Sequence, residues 1–125
     1  MELIQTAAAP IPAGHCSQAV KANGFVFVSG QLPLVPGGER PMSENIDEQT
    51  RQTLENLRNI LLAAGSSVDR LVSVQIFISD VALWPHVNRV YETFMGAHRP
   101  ARAVIPTREL HLGAMIEISA VAVVG

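Results

Sequence analysis

Small and apolar side chains recur at spacings of three and four along the segment IDEQTRQTLENLRNILLAAG, which starts at Ile46. This spacing is typical of a helix that buries one side. The residues on that side are Thr50, Thr53, Leu54, Leu57, Ile60, Leu61 and Ala64. Asn45 is a suitable N-cap with Glu48 three residues later, and Gly65 suits the position just past the end. The pattern therefore predicts a helix with defined ends.

A second helix is predicted after the turn from Asp80 to Pro85, because proline is tolerated in a first helical turn. Its apolar stripe consists of Val87, Val90, Tyr91 and Phe94. Gly96 ends this helix, and a short connector follows it.

Alternation of side chains predicts strands elsewhere. In SVDRLVSVQIFIS the residues Val72, Val74, Ile76 and Ile78 alternate with Ser73, Gln75 and Phe77. QAVKANGFVFVSG contains two strand segments around Asn23-Gly24, a dipeptide that favours a type I′ hairpin turn. ARAVIPT and MIEISAVAVV are the last two strands. Residues 1–17 are expected to be irregular, and QLPLVPGGERPMS is expected to be a loop.

The predicted order is β-β-α-β-α-β-β, in a single domain over residues 1–125 without internal repeats. Two helices cover only one face of such a sheet, so the other face needs burial elsewhere. The charged fraction is only 16% and the hydrophobic fraction is 48%. Both observations favour an oligomer in which copies of the chain cover that face.

The charge pattern argues against a nucleic-acid partner, since the net charge is −2 and the nine Lys and Arg residues are scattered. One cysteine excludes an internal disulfide framework and suits a reducing compartment. No signal-peptide pattern and no membrane-length apolar run is present, so we expect a soluble, cytoplasmic protein without a membrane partner. The four histidines match no metal-binding spacing, and no nucleotide-binding loop occurs; we expect neither metal nor cofactor.

Two charges lie inside strand-like apolar runs, Arg102 in ARAVIPT and Glu117 in MIEIS. Such placement costs free energy unless the charge faces solvent, a partner or a ligand. Arg102 is either a solvated or ion-paired arginine or a receptor for a carboxylate. Glu117 is either a rim carboxylate on an edge strand, the ionic partner of Arg102, or a general acid/base or water-holding group. The glycine of Ser29-Gly30 either forms a plain turn or lets a ligand approach the backbone.

The segments GHCSQAV, FVFVSGQLP, EQTRQTLENLRNILLAAG, VNRVYETF, RPARAVIPTREL and IEISAVA together resemble the RidA/YjgF family of enamine/imine deaminases. The resemblance extends from about Gly14 to Val123. It implies a chorismate-mutase-like α+β fold, with a mixed sheet and two helices on one face. It also implies a homotrimer with a central β-barrel and active sites in the clefts between subunits.

The resemblance also implies roles for single residues. Arg102 would hold the substrate carboxylate, and Glu117 would lie near a water and the imine nitrogen. The remaining pocket residues would be Ser29, Gly30, Asn88, Val104 and Cys16. The sequence alone places Asn88 on a helix surface. Val104 would act through its carbonyl, and Cys16 replaces a tyrosine common in the family. The implied reaction converts 2-aminoacrylate or 2-iminopropanoate to a 2-oxo acid and ammonia, without a cofactor.

Three alternatives remain open at this point. Cys16 would widen the cleft for a 2-aminomuconate-type substrate, with Arg108 or His111 meeting its second carboxylate, although an exposed turn is the favoured interpretation of these two residues. A non-catalytic, chaperone-like trimer would use Arg102 to bind a small acid. Ribonuclease action, proposed for some relatives, fits poorly with the acidic pI of about 6.0.

Overall fold

A computed structural model describes residues 1–124, which form one mixed sheet and two helices. The strands are β1 (Glu2–Ile4), β2 (Ala19–Ala22), β3 (Phe25–Gln31), β4 (Leu71–Ile78), β5 (Ala101–Pro106) and β6 (Ile116–Val123). The helices are α1 (Ile46–Ala63) and α2 (Trp84–Met95). Their order across the sheet is β1-β2-β3-β6-β4-β5, and only the β4–β5 pair is parallel.

Both helices pack on the same face of the sheet, as the sequence predicts. Alternate residues of the central strands point to this face and are fully buried, among them Val26, Ile76 and Ile118. All seven residues of the predicted α1 stripe are buried against them. In α2 the stripe extends to Met95, which is buried, whereas Phe94 is only half-buried. The expected α+β fold is therefore confirmed.

The predicted turns and helix ends are also confirmed. Asn23 and Gly24 have φ of 52° and 81°, which a type I′ turn requires. Asn45 caps α1, since its side-chain oxygen accepts a hydrogen bond of 3.0 Å from the backbone N–H of Glu48. Gly65 follows α1 with φ of 78°, a left-handed conformation that favours glycine.

The prediction that residues 1–17 are irregular is wrong in one place, because β1 pairs antiparallel with β2. A strand of three residues is too short to show a convincing alternation. The rest of the segment is irregular but is held in place by hydrogen bonds from Gln18, which is 2% exposed. The Gln18 amide nitrogen donates to the carbonyls of Thr6, Ala9 and Pro10. The predicted element order therefore lacks one edge strand.

Val72 does not lie on the buried face, contrary to the predicted alternation. The pairing of β4 with β6 shifts register between Leu71 and Ser73, which leaves Leu71 buried and Val72 43% exposed. A bulge of this kind reverses the side-chain alternation at one residue. Periodicity alone does not reveal it.

The second face of the sheet is uncovered in the single chain, and we call it the open face. Its apolar side chains that are at least one-third exposed include Leu3, Phe25, Phe27, Ile105 and Val123. The rings of Phe25 and Phe27 pack together, with centroids 6.3 Å apart. Burial of this face by further copies of the chain remains a prediction. No helix within residues 1–124 is long and apolar enough to cross a membrane.

Candidate functional site

Two separate clefts contain the charged residues that the sequence singles out. The first cleft has a volume of about 590 Å³ and lies between α2 and the connector into β5. Arg102 and Asn88 line it. The second cleft has a volume of about 230 Å³ and is lined by Cys16, Ser29, Gly30 and Glu117, among others.

In the first cleft, Arg102 is held in place by uncharged groups. Its Nη1 donates a hydrogen bond of 2.9 Å to the side-chain oxygen of Asn88. Its guanidinium carbon lies 4.7 Å from the ring centroid of Tyr91 and 5.8 Å from that of Trp84, distances at which cation–π attraction operates. No carboxylate of residues 1–124 lies within 4.0 Å of it. The arginine is thus oriented but not neutralised by the part of the chain that the structure describes.

Asn88 orients this arginine because its amide is itself fixed. Its nitrogen donates a hydrogen bond of 3.0 Å to the carboxylate of Glu92, one turn further along α2. The amide oxygen is therefore turned towards Arg102. Asn88 is half-buried and lines the first cleft, so it lies at the protein surface but is held by its neighbours.

The second cleft opens where β3 departs from regular pairing. The register between β3 and β6 shifts between Val28 and Gln31, which places Ser29 and Gly30 in a bulge. Ser29 is fixed by a hydrogen bond of 2.6 Å from its hydroxyl to the carbonyl of Ser17. Bulges often redirect side chains beside functional sites, and this one makes room for Glu117.

Glu117 packs directly against the backbone of Gly30. A Cβ atom at Gly30 would lie 2.9 Å from the carboxyl carbon of Glu117 and closer still to one of its oxygens. Because such distances are shorter than van der Waals contact, only glycine allows this position of the carboxylate. Gly30, the glycine of the SGQ segment, therefore allows the Glu117 side chain of the same chain to pack closely against its backbone.

We predict that Gly30→Ala lowers the free energy of unfolding by about 1 kcal/mol, the low end of the usual cost of overpacking, because the far end of the flexible Glu117 side chain can move away from the added methyl group. In a Glu117→Ala background the same substitution should cost less than about 0.5 kcal/mol, because the clashing group is gone. Urea unfolding of the four variants in this cycle measures both values. An equal cost in the two backgrounds would show that the contact between Gly30 and Glu117 does not set the requirement for glycine.

Arg102 and Glu117 lie on opposite faces of the sheet. Arg102 pairs with Val74, whose side chain is buried under the helices, whereas Glu117 pairs with Phe77 on the open face. An ion pair between Arg102 and Glu117, one of the interpretations left open by the sequence, is therefore excluded within the chain. One chain presents two halves of a candidate site.

Of the remaining predicted residues, Cys16 and His111 line the second cleft, whereas Val104 and Arg108 line neither cleft. Val104 is half-buried on the edge strand β5 and packs against the core. Cys16 is exposed at the second cleft. His111 and Arg108 are exposed, as the favoured interpretation predicts, but His111 also lines the second cleft. Within residues 1–124 no three His, Cys, Asp or Glu side chains form a group that could hold a metal ion.

Sequence reasoning missed the contact of Tyr91 with Arg102, because it assigned Tyr91 to the apolar stripe of α2. The available signal was spacing. Asn88, Tyr91 and Glu92 are three and four residues apart, so they share one side of a helix. A polar residue, an aromatic ring and a carboxylate on one helical side are consistent with support for a neighbouring cation.

Comparison with known proteins identifies the family. The family model described as Endoribonuclease L-PSP matches residues 6–124. The chain belongs to the RidA/YjgF family. The resemblance inferred from the sequence motifs is thereby confirmed.

The relatives match over nearly the whole chain. A RutC family protein of Pyrococcus horikoshii is 39% identical over 97% of this chain and 96% of its own length. The chloroplastic Reactive Intermediate Deaminase A of Arabidopsis thaliana is 39% identical over 97% of this chain and 65% of its own. The crystal structure of E. coli TdcF with bound serine superposes with a TM-score of 0.94, at 33% identity and covering 100% of both chains.

Proposed function

We propose that this RidA/YjgF protein hydrolyses small enamines and imines derived from amino acids to 2-oxo acids and ammonia. The observation that carries the proposal is Arg102, a cation oriented in a cleft without a carboxylate partner in residues 1–124. A guanidinium matches a carboxylate in two parallel hydrogen bonds. Two comparisons support the same chemistry, since one relative is named a reactive intermediate deaminase and TdcF binds serine, which carries a carboxylate.

The proposed site needs two chains. Arg102 faces the first cleft and Glu117 the second, on opposite faces of the sheet, so one chain does not bring them to one substrate. We propose a homotrimer in which the open faces line a central barrel. In that assembly the first cleft of one chain would join the second cleft of its neighbour. The exposed Phe25 and Phe27 support burial of this face.

The proposed reaction needs positioning and one acid/base group. An enamine first takes a proton on carbon and becomes the imine. Water then adds to the imine carbon, Glu117 accepts a proton from that water, and the C=N electron pair moves to nitrogen, which takes up this proton from Glu117. In the carbinolamine, Glu117 relays the hydroxyl proton to nitrogen as the C=O bond forms, and ammonia leaves as the C–N bond breaks. Positioning of the substrate and general acid/base catalysis each lower the activation barrier of hydrolysis, and the balanced reaction requires no cofactor.

Each remaining residue has a place in this proposal. Asn88 orients Arg102, while Ser29, Gly30 and Val104 form the wall that holds the nitrogen end of the substrate. Cys16 leaves the second cleft without the aromatic wall expected in the family. The single cysteine also fits a reducing compartment, and we place the reaction in the cytoplasm.

The test is ammonia release from freshly generated 2-iminopropanoate. We expect the protein to accelerate it well above the spontaneous rate, with faster turnover than for 2-aminomuconate. Faster turnover of 2-aminomuconate would instead favour the larger substrate, which His111 in the second cleft could meet. Binding of pyruvate without any acceleration would identify a small-acid-binding protein and contradict the hydrolytic proposal.

A further inference from the structure

Tyr91 combines two features that packing alone does not explain. Only 6% of its surface is exposed, and its ring forms the wall over which the Arg102 guanidinium lies. Its hydroxyl is buried and has no hydrogen-bond partner within residues 1–124. Phenylalanine would supply the same ring without a buried polar atom.

The unpaired hydroxyl has an energetic cost. A buried donor without a partner destabilises the folded state relative to one that is hydrogen-bonded. Buried hydroxyls in folded proteins are therefore nearly always paired, and an exception calls for an explanation. The missing partner then comes from outside the described chain, either with a ligand in the first cleft or from the neighbouring subunit of the proposed trimer.

The neighbouring groups indicate what that partner is. The oxygen of Asn88 already accepts from Arg102, and a carboxylate oxygen of Glu92 accepts from Asn88. The first cleft also carries Arg99, so its lining contains two arginines and only one carboxylate, that of Glu92. An anion bound in this cleft would bring hydrogen-bond acceptor oxygens close to the donor groups of Arg102 and Tyr91.

The hydroxyl is suited to donate. Burial raises the pKa of Tyr91 above its ordinary value of 10.0, and the nearby Arg102 cation opposes this by a smaller amount. The phenol therefore keeps its proton at neutral pH. A carboxylate can accept about four hydrogen bonds, so two from a guanidinium leave room for one from a phenol.

We propose that Tyr91 is a substrate-binding residue, whose hydroxyl donates a hydrogen bond to a carboxylate oxygen of the acid that Arg102 holds. The inference rests on the proposed function and adds to it a third hydrogen bond to the acid. The bond is made to a group that does not react, so it forms equally in the substrate complex and in the transition state. Its loss should then raise KM and leave kcat nearly unchanged.

The experiment measures pyruvate binding by calorimetry and imine hydrolysis in parallel. Tyr91→Phe should weaken pyruvate binding about tenfold, raise KM by a similar factor, and leave the thermal unfolding midpoint equal or higher. Tyr91→Leu, which also removes the ring beneath Arg102, should weaken binding further. The matched control is Thr93→Val, which removes a hydroxyl from the same helix outside the first cleft and should change none of these values.

A second measurement needs no substitution at this position. Tyr91 is the only tyrosine in the chain, so labelling with 3-fluorotyrosine gives a single ¹⁹F resonance. Pyruvate should shift that resonance in the wild type and not in Arg102→Gln. A merely structural hydroxyl would leave the pyruvate affinity of Tyr91→Phe at the wild-type value and would lower the stability of that variant.

The outcomes separate this inference from the proposed function. Equal pyruvate affinities of wild type and Tyr91→Phe, together with normal turnover, overturn the inference alone. Pyruvate binding that depends on Tyr91 without any turnover overturns hydrolysis and supports the inference. Failure of the wild type to bind pyruvate overturns the inference, whatever the turnover.

Discussion

Arg102→Gln is expected to lower kcat/KM for 2-iminopropanoate hydrolysis by at least about a hundredfold, since each charge-assisted hydrogen bond contributes roughly 1.5–3 kcal/mol and the guanidinium offers two. The loss should be mostly in substrate binding. Pyruvate affinity, measured by calorimetry, should fall in parallel. Glutamine preserves a donor to Asn88 and much of the side-chain volume, so the fold should persist.

Two further variants sharpen this result. Arg102→Lys retains the charge but lacks the planar fork, so it should recover only a small part of the loss. Arg70→Gln removes an exposed arginine on the turn between α1 and β4 and should leave activity unchanged. An Arg102→Gln protein that hydrolyses the imine at the wild-type rate would remove the basis of the proposed function.

Glu117→Gln is expected to lower kcat by about a hundredfold to ten-thousandfold, the range typical of a lost general acid/base. The amide is nearly isosteric with the carboxylate, so the close packing on Gly30 should survive. Pyruvate affinity should change less than about threefold, because the carboxylate of the ligand is held by the other cleft. Single-turnover ammonia release separates this loss of chemistry from a loss of binding.

The control for Glu117→Gln is Glu109→Gln, which changes an exposed carboxylate in the connection between β5 and β6 and should leave kcat intact. A Glu117→Gln protein with normal kcat would assign the proton transfers to water alone.

Mixing the two inactive variants tests how the halves combine. In a cyclic trimer, every mixed assembly of Arg102→Gln and Glu117→Gln chains contains one interface with both native residues. Random mixing by reversible unfolding should therefore restore about a quarter of the wild-type activity. No recovery from folded, mixed trimers would mean that both residues of a site come from the same chain.

Much of the fold follows from local sequence patterns, and the exceptions have physical causes. Periodicity and capping located α1 and α2 because each helix buries one continuous stripe. The strand β1 was missed because three edge residues carry no period. Val72 was misplaced because a bulge reverses alternation without a local signal.

The candidate site was predicted less completely. The chemistry of Arg102 and Glu117 was visible, since charges interrupt apolar runs at those positions. Their separation onto opposite faces depends on how β4 pairs with β5 and β6, which no single segment encodes. The role of Tyr91 was hidden because an apolar stripe explains an aromatic residue equally well.

The Leu71–Pro106 segment forms a β-α-β crossover that contains Arg102 together with the helix residues that orient it. Glu117 and the other residues of the second cleft come instead from segments on either side of this unit, residues 10–34 and 111–117. Affinity for different acids can thus be retuned within one contiguous stretch of the gene, while the proton-transfer machinery is inherited separately. Exchanging that stretch between relatives should move ligand preference as a module.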